Sequence, residues 1–440
     1  MDTIENNAPI CALATAPGGA IGIIRISGDQ SLEILSRIFS KDLTNAQPNT
    51  IHYGHIVDKI SNLKPQTSNL IDEVLVSVFK SPHSYTGEDS AEISCHGSRY
   101  ILQRVLDLLC QNGCRMANPG EFTMRAYLNG KMDLSQAEAV ADLIASTNKT
   151  THHMALSQLR GHFSSALSQL RDKLLKLTSL LELELDFSDH EDLEFADRSE
   201  LFSLANDINT RVVRLADSFE TGNALKNGIP VAIVGAPNVG KSTLLNALLG
   251  EDRAIVSDIQ GTTRDAIEDT IELGGITFRF IDTAGIRHTD DTIENLGIER
   301  SMAAAQRARI ILLMTQPGVP YPDIPVRDDQ TVIRIENKTE SFQAKYGVGL
   351  DQLRQQLIDA APHTDDNDII VTSARQYEAL THAQENLQRV IEGLEMQLSG
   401  DLLAEDLRLV LGNLAEITGK GQITPQETLN NIFSHFCVGK

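Results

Sequence analysis

The sequence contains no tryptophan and few cysteines. The five cysteines are Cys11, Cys95, Cys110, Cys114 and Cys437. So few cysteines, so widely scattered, exclude a disulfide framework of the kind that stabilises small secreted domains. Cys110 and Cys114 have no second pair to complete a zinc site, which favours reduced helix residues over metal ligands.

Positive charge and long apolar runs are also scarce. The 38 lysines and arginines are outnumbered by 60 aspartates and glutamates, and the net charge is −22. No overall positive field therefore attracts the protein to nucleic acid or anionic membrane, and any RNA contact must come from a local basic patch or through a partner. The sequence lacks the run of about eighteen apolar residues that spans a membrane. Its apolar start follows Asp2 and Glu5 rather than the basic residues of a signal peptide. We expect a cytoplasmic protein without a membrane partner.

What the sequence does contain is a phosphate-binding loop. An apolar run at 231–234 predicts a buried strand, and it is followed at the required spacing by Gly235, Gly240, Lys241 and Ser242, and then by a helical pattern. Glycines let backbone N–H groups converge on phosphates, and the helix N-terminus favours negative charge. Lys241 is expected to reach the terminal phosphates, and Ser242 to supply an oxygen to magnesium. The loop predicts that this protein binds a nucleoside triphosphate.

Three later motifs are typical of GTPases. Residues 261–265 (Gly-Thr-Thr-Arg-Asp) lie where a switch threonine ligates magnesium. Residues 282–285 (Asp-Thr-Ala-Gly) lie where a magnesium-bound water and the last phosphate are contacted. Residues 337–340 (Asn-Lys-Thr-Glu) follow an apolar strand at the place where GTPases read guanine, with Glu340 where aspartate is usual. Guanine is therefore favoured over adenine.

Two departures from the common GTPase pattern leave alternatives open. Gln343-Ala344-Lys345 replaces the usual Ser-Ala-Lys after an unusually short connection, which leaves half of the base pocket undefined. Ile286 occupies the position where Ras-like enzymes have the glutamine that orients the attacking water. Either hydrolysis is negligible and the domain is a binding switch, or a different residue and charge supply the catalysis.

Apolar periodicity divides the chain into four segments. Residues 1–122 mix strands, such as 20–26 and 71–79, with a helix that ends at Gly113, and predict an α+β domain. Residues 123–224 are helical, and five leucines form the seam of a bundle rather than of a long coiled coil: Leu167, Leu170, Leu174, Leu177 and Leu181. The acidic stretch 182–200 is interpreted as a solvated face or loop rather than a metal site.

Residues 225–374 carry an α/β pattern and residues 375–440 are helical again. A hairpin is predicted around Gly274-Gly275, and buried strands at 310–314, 332–335 and 369–371. We expect a multidomain α/β and α protein in which the two helical segments form one bundle and a doubly wound nucleotide domain is inserted between them.

Several separated stretches resemble the MnmE (TrmE) family of tRNA-modification GTPases, essentially from end to end. These stretches are residues 17–28 (PGGAIGIIRISG), 85–89 (YTGED), 119–123 (PGEFT), 125–134 (RAYLNGKMDL), 136–139 (QAEA) and 436–440 (FCVGK). The resemblance implies an N-terminal folate-binding domain that dimerises, a helical domain built from both flanks, and an inserted Ras-like G domain.

The resemblance also implies partners and a reaction. The family acts with the FAD-dependent partner MnmG (GidA), with which a heterotetramer is expected, the FAD being on that partner. Together they add an aminomethyl-type group to C5 of the wobble uridine of certain tRNAs. The one-carbon unit comes from 5-formyl- or methylene-tetrahydrofolate, and tRNA is expected to be contacted mainly through the complex.

Site residues are assigned by their match to the family's motifs. Those matching the GTP site are Asn238, Val239, Gly240, Lys241, Ser242, Thr243, Ser257, Asp258, Ile259, Gln260, Gly261, Thr262, Thr263, Asp282, Thr283, Ala284, Gly285, Asn337, Lys338 and Glu340. The expected potassium ligands are Asn238, Ser257, Ile259 and Thr262, and the expected magnesium ligands are Ser242 and Thr263. The potassium ion takes the place of an arginine finger, and Glu294 orients the attacking water.

The residues that match the family's folate site are Arg25, Glu92, Lys131 and Lys440. Lysines or arginine can neutralise the glutamate tail of a folate, and a carboxylate can read its pterin edge. Cys437 either takes part in the modification chemistry or is a buried apolar residue beside Phe436. The alternative function is a GTP-binding switch in ribosome assembly with little intrinsic hydrolysis. The folate-like domain and the Cys-Val-Gly-Lys tail argue against that alternative.

Overall fold

The computed structural model describes residues 8–58, 70–187, 198–251, 269–281, 294–363, 365, 368–420, 424–434 and 436–439. The chain forms two compact units, Met1–Ala141 with Thr418–Lys440, and Asp142–Ile417. The four segments expected from the sequence are finer than this division, and their boundaries stay a prediction. Among the helices of the described ranges, none has the length and apolar character needed to cross a membrane.

The described elements are numbered in chain order. The strands are β1 (Ile10–Leu13), β2 (Ile21–Ser27), β3 (Thr50–Val57), β4 (Leu70–Phe79), β5 (Ser90–His96), β6 (Arg115–Met116), β7 (Ile229–Gly235), β8 (Asp269–Leu273), β9 (Ile276–Phe280), β10 (Ile310–Thr315) and β11 (Thr331–Glu336). The helices are α1 (Ser31–Ile38), α2 (Arg99–Gln111), α3 (Glu121–Leu128), α4 (Leu134–Ala145), α5 (Lys149–Leu159), α6 (His162–Phe187), α7 (Arg198–Asn227), α8 (Lys241–Glu251), α9 (Glu294–Arg307), α10 (Leu350–Asp359), α11 (Ala374–Glu395), α12 (Gly400–Thr418) and α13 (Gln426–Ser434).

The first unit is built on a six-stranded sheet in the order β3-β4-β5-β2-β1-β6. Its strand pairs are antiparallel except for β1 with β6. One face is covered by α1 and α2, because the alternate apolar residues of the central strands, such as Ile24 and Ile93, pack against Leu35 and Leu109 of these helices. The strands predicted at 20–26 and 71–79 are confirmed as β2 and β4.

The C-terminal segment of the chain belongs to this first unit. Leu429 and Phe433 of α13 and the following Phe436 form a small apolar core with Leu134 and Ala137 of α4. Tyr127 of α3 adds hydrogen bonds to Thr424 Oγ1 (2.9 Å) and to the carbonyl of Gly419 (3.3 Å). The C-terminal segment is therefore held against α3 and α4, the two helices that follow the strands of this sheet in the chain.

The cysteine thiols are free, as expected. Cys110 lies in the last turn of α2, whereas Cys114 follows that helix and leads into β6, so the prediction that both are helix residues is wrong for Cys114. Gly113, between them, has φ +116° and ends the helix.

The second unit contains a helical core and an α/β core. In the helical core all five seam leucines of α6 are buried, and they share one cluster with Leu215 of α7, Leu387 of α11 and Leu407 of α12. Most of the acidic stretch, residues 188–197, lies outside the described residues.

The α/β core holds a five-stranded sheet in the order β11-β10-β7-β9-β8, parallel except for the β8–β9 hairpin. Helices α8 and α10 cover one face and α9 the other, so the predicted doubly wound layering is confirmed. The hairpin closes through Gly274 (φ +60°) and Gly275 (φ +81°), the primed turn expected from the sequence.

Residues 369–371 are not a strand, contrary to the prediction. The Val371 amide donates to Ser218 Oγ of α7 at 3.0 Å, and its carbonyl lies so close to Gly222 that an added Cβ there would be 2.2 Å away. Val371 is buried in the helical core and Ile369 packs against that core, so the apolar run belongs to the helices and not to the sheet. In the described stretch 316–330, the crossover between the parallel strands β10 and β11 forms turns and no helix.

Candidate functional site

The phosphate-binding loop has the predicted strand–loop–helix context. Strand β7 ends at Gly235, and α8 begins at Lys241 with Ser242 and Thr243 in its first turn. The Lys241 ammonium donates to the carbonyls of Gly235 (2.8 Å) and Ala236 (3.0 Å). Burial lowers the pKa of this lysine. The loop therefore folds around the ammonium group that is expected to meet the terminal phosphates.

Both motif glycines are required by close contacts. An added Cβ at Gly235 would lie 2.4 Å from the carbonyl oxygen of Met314 on β10. Gly240 has φ +101°, and an added Cβ there would lie 2.5 Å from Asn337 Nδ2. Glycine at these positions lets the loop approach the neighbouring strand and the side chain of Asn337.

The expected base-reading segment, residues 337–340, contacts the phosphate-binding loop directly. Asn337 is buried, and its Nδ2 donates to the carbonyl of Val239 at 2.8 Å. Its Oδ1 accepts from the amide of Ala344 at 3.1 Å. Lys338 Nζ donates to the carbonyl of Asn238 at 3.2 Å. Asn337 and Lys338, both expected at the base, therefore contact the loop that is expected to hold the phosphates.

The unusually short connection after Asn337 still brings the next motif into contact with it. Ala344 is buried at the start of a 3-10 turn, Ala344–Tyr346, and the Gln343 amide donates to the Val348 carbonyl at 3.0 Å. Replacement of the usual serine by Gln343 therefore leaves the backbone contact of Ala344 in place. Glu340 lies exposed on the intervening turn.

The expected switch residues lie outside the described residues. They are Ser257, Asp258, Ile259, Gln260, Gly261, Thr262, Thr263, Asp282, Thr283, Ala284 and Gly285. Glu294 begins α9, and its side chain is outside the described part. Of the expected cation ligands, the described part therefore contains Asn238 on the loop and Ser242 on α8.

A second constellation lies on the first unit, around Arg25. Arg25 on β2 is directly opposite Glu92 on β5, and its Nη2 lies 2.7 Å from Glu92 Oε1. Its Nη1 donates to the carbonyl of Gly439 at 3.2 Å. The guanidinium carbon is 5.6 Å from the ring centroids of both Tyr85 and Phe122. Motif matching did not assign a role to these two rings, although both lie within the matched stretches 85–89 and 119–123.

The remaining expected folate residues are placed less closely together. Lys131 is exposed, and its ammonium donates to the carbonyl of Pro82 at 2.7 Å, in the segment that leads to Tyr85. Lys440 lies outside the described residues. Cys437 is exposed and its carbonyl accepts from the Gly120 amide at 3.4 Å. The interpretation of Cys437 as a buried apolar residue is therefore wrong, because Phe436 takes the buried position and the thiol faces solvent.

Two family models match the chain. The one described as "MnmE helical domain" matches residues 134–437, and the one described as "GTP-binding protein TrmE N-terminus" matches residues 9–131. Proteins named tRNA modification GTPase MnmE are similar over nearly their full lengths. The protein from Phocaeicola vulgatus is 52% identical over 496 residues, with 99% of each chain covered. The protein from Porphyromonas gingivalis is 48% identical over 478 residues, with 99% of this chain and 98% of the relative covered.

A solved structure, an Era variant from Aquifex aeolicus bound to GDP.AlF4-, matches 36% of this chain and 65% of its own at 25% identity, with a TM-score of 0.22. A TM-score this low carries no conclusion about the fold. Membership rests instead on the full-length identity and on the two family models, which together cover most of the sequence. The chain belongs to the MnmE (TrmE) family of tRNA modification GTPases.

Proposed function

We propose that this chain is a potassium-activated GTPase that, with an FAD-dependent partner of the MnmG (GidA) type, modifies C5 of the wobble uridine of certain tRNAs. The one-carbon unit would come from methylene-tetrahydrofolate. The observation that carries the proposal is the contact between two segments far apart in the sequence. Asn337 and Lys338 donate to carbonyls of the loop that also surrounds the Lys241 ammonium. Base reading and phosphate binding at one loop are what a GTPase requires.

Each cation has residues of suitable chemistry. Asn238 fits a potassium site because it is exposed on the loop and carries an amide oxygen, a donor suited to hard cations. With it, Ser257, Ile259 and Thr262 would complete the shell, while Ser242 and Thr263 would hold magnesium. Bound potassium would supply positive charge where negative charge develops on the transferred phosphoryl group.

The chain's own residues would bind the nucleotide and position the attacking water. Lys241 would neutralise the terminal phosphates, and the Asn337 and Glu340 side chains would select guanine. Glu294 would orient the attacking water, a role that the aliphatic side chain of Ile286 cannot take.

Steady-state turnover tests the GTPase half of the proposal. GTP hydrolysis should be faster in potassium than in sodium buffer, and ATP should be a poor substrate in both. Glu294→Ala should keep nucleotide binding and lose turnover by orders of magnitude, whereas Lys241→Ala should weaken both. Equal slow rates in the two salts would favour the alternative, a binding switch in ribosome assembly.

The folate half is supported by the charges around Arg25. Its guanidinium carbon is 5.6 Å from each of two aromatic ring centroids and the group pairs with the Glu92 carboxylate, so cationic and anionic groups suited to a folate's two ends lie together. Lys131, Lys440 and Cys437 would complete the site.

Equilibrium binding of 5-formyl-tetrahydrofolate tests this assignment. Arg25→Ala and Lys131→Ala should each weaken binding roughly tenfold, as expected for loss of a charge-assisted hydrogen bond. Arg37→Ala is the matched control, because it removes an exposed arginine of α1 that donates to the Asn112 carbonyl. Unchanged binding in the first two variants would refute the site.

We also propose a homodimer through β3 and β4, on the sheet face opposite to the one that α1 and α2 cover. Ile51, Tyr53 and Leu75 are exposed there, and the strand register places them on the same face as Arg25 and Glu92. Exposed apolar side chains grouped on one sheet face are typical of an interaction surface. The proposed folate site would then lie on the dimerising face.

The same proposal includes the inserted layout, a heterotetramer with the MnmG-type partner, tRNA contact mainly through that complex, and a cytoplasmic location. The shared core of α6, α7, α11 and α12 supports the inserted layout, because the chain leaves and re-enters one bundle.

A deletion strain should contain unmodified wobble uridine. Normal tRNA with abnormal ribosome profiles would favour the switch in ribosome assembly instead.

A further inference from the structure

The Lys338 ammonium has a second partner that no sequence motif marks. Besides the Asn238 carbonyl at 3.2 Å, it donates to Gln316 Oε1 at 2.6 Å. Gln316 follows the last residue of β10, at the carboxyl edge of the parallel strands where α/β sheets bind ligands. It is half-buried, whereas Lys338 and Asn238 are exposed.

The backbone of Gln316 is fixed by a tight turn. The Val319 amide donates to the Gln316 carbonyl at 3.0 Å, and Pro317 and Gly318 occupy the central positions, with Gly318 at φ +80°. This is the composition of a type II turn. Thr315 Oγ1 donates to the Val319 carbonyl at 2.6 Å and closes the turn a second time. The Gln316 side chain therefore extends toward Lys338 from a rigid base.

Lys338 and its acceptor Asn238 both adopt left-handed backbone conformations. Asn238 has φ +61° and Lys338 has φ +63°. Asparagine tolerates this region comparatively well, but lysine does so only when surrounding contacts hold it there. The two hydrogen bonds of Lys338 Nζ join its segment to the phosphate loop on one side and to the β10 turn on the other.

We infer that Gln316 is a positioning residue of the nucleotide site. By accepting from Lys338, it holds the lysine on the Asn238 carbonyl and keeps the base-reading segment and the phosphate loop in register. The inference rests on the proposed function, in which Lys338 belongs to the base-reading segment and Asn238 binds potassium. Loss of the Gln316 acceptor should therefore weaken both ligands together and leave the chemical step unchanged, because Gln316 is not among the residues expected to meet the reacting atoms.

The experiment compares three variants of the full chain. Gln316→Ala removes the acceptor for Lys338, whereas Gln316→Glu retains an acceptor oxygen and gives it a negative charge. Gln355→Ala, the control, removes an exposed glutamine of α10 that donates to Asp359. GTP turnover is titrated with potassium at saturating GTP and with GTP at saturating potassium. Gln316→Ala should raise the half-saturating potassium concentration and the KM for GTP by roughly five- to tenfold, with kcat retained. The other two variants should stay within about twofold of wild type.

The outcomes separate this inference from the proposed function. If wild type is stimulated by potassium but Gln316→Ala leaves both concentrations unchanged, the positioning role is refuted. It is also refuted if Gln316→Ala lowers only kcat, or if Gln316→Glu behaves like Gln316→Ala. If wild type shows no potassium stimulation, the proposed mechanism fails. Binding of a fluorescent GDP analogue, which needs no turnover, should then still be weaker in Gln316→Ala than in wild type, and equal binding refutes the role of Gln316.

Discussion

Asn337 provides the sharpest test of how the nucleotide site is assembled. It is 4% exposed and makes one bond to each of two segments, donating to the Val239 carbonyl and accepting from the Ala344 amide. In Asn337→Ala, both of these backbone groups lose their side-chain partner in a buried setting. In Asn337→Asp, the Ala344 bond can persist, but a carboxylate oxygen faces the Val239 carbonyl.

The size of the effect follows from those two groups. A buried donor or acceptor left unsatisfied costs about 1–3 kcal/mol. Partial relief by water makes a combined loss of about 2–4 kcal/mol the expected result for Asn337→Ala. Asn337→Asp should lose a similar amount, because repulsion between the buried carboxylate and the partial negative charge on the Val239 carbonyl oxygen offsets the bond that it retains.

The measurement is urea unfolding followed by far-UV circular dichroism, since the chain has no tryptophan to report on folding by fluorescence. Asn227→Ala is the control, because Asn227 is exposed on α7 and bonds the side chain of Asn223. Its unfolding free energy should stay within about 0.5 kcal/mol of wild type. If Asn337→Ala changes stability as little as this control, Asn337 does not join the two segments as argued.

Three further predictions concern the first unit. Tyr53→Asp should convert the proposed dimer to monomer in sedimentation, whereas Tyr100→Asp, exposed on α2 against the opposite face of the sheet, should not. Gly439→Ala should release the C-terminal tail to limited proteolysis, because its added Cβ would lie 2.4 Å from the Leu13 carbonyl. Gly18→Ala, with a similar φ of +99° and open space around it, should leave the tail protected. Burial raises the pKa of Cys95 to about 12, so thiolate is scarce at pH 8 and grows as pH rises. Iodoacetamide at pH 8 should modify the exposed Cys437 and leave Cys95 unreacted until the chain is unfolded, as mass spectrometry can show.

Local sequence signals predicted the elements whose cause is local. The loop from Gly235 to Ser242 needs glycines and a helix start at fixed spacing, and the hairpin needs positive φ at Gly274 and Gly275, so both could be read from adjacent residues. The buried leucine seam of α6 likewise follows from its own three-four repeat.

The failures arise where distant segments decide the structure. The run 369–371 is as apolar as a strand, yet it packs in the helical core. There the Val371 amide donates to the Ser218 hydroxyl, and Gly222 has no side chain to exclude the Val371 carbonyl. No pattern near Gln316 shows that its amide will meet Lys338, because that contact depends on how two parallel strands end side by side. Tyr85 and Phe122 lie in stretches that the motifs mark in the sequence, but only the fold shows that both rings lie close to Arg25.

The short connection after Asn337 shifts where guanine selectivity should reside. Asn337 and Ala344 are joined to each other and buried, whereas Glu340 lies exposed on the turn between them, on a stem one methylene longer than aspartate. Its carboxylate is expected to accept hydrogens from the guanine edge, including the exocyclic amine that inosine lacks. Glu340→Ala should therefore abolish the preference for GTP over ITP, because GTP loses two hydrogen bonds and ITP only the one from N1–H, and Glu340→Asp should keep the preference for GTP. Competition binding with the two nucleotides measures this. A preference that survives in Glu340→Ala would mean that the buried Asn337–Ala344 pair reads the base without the carboxylate.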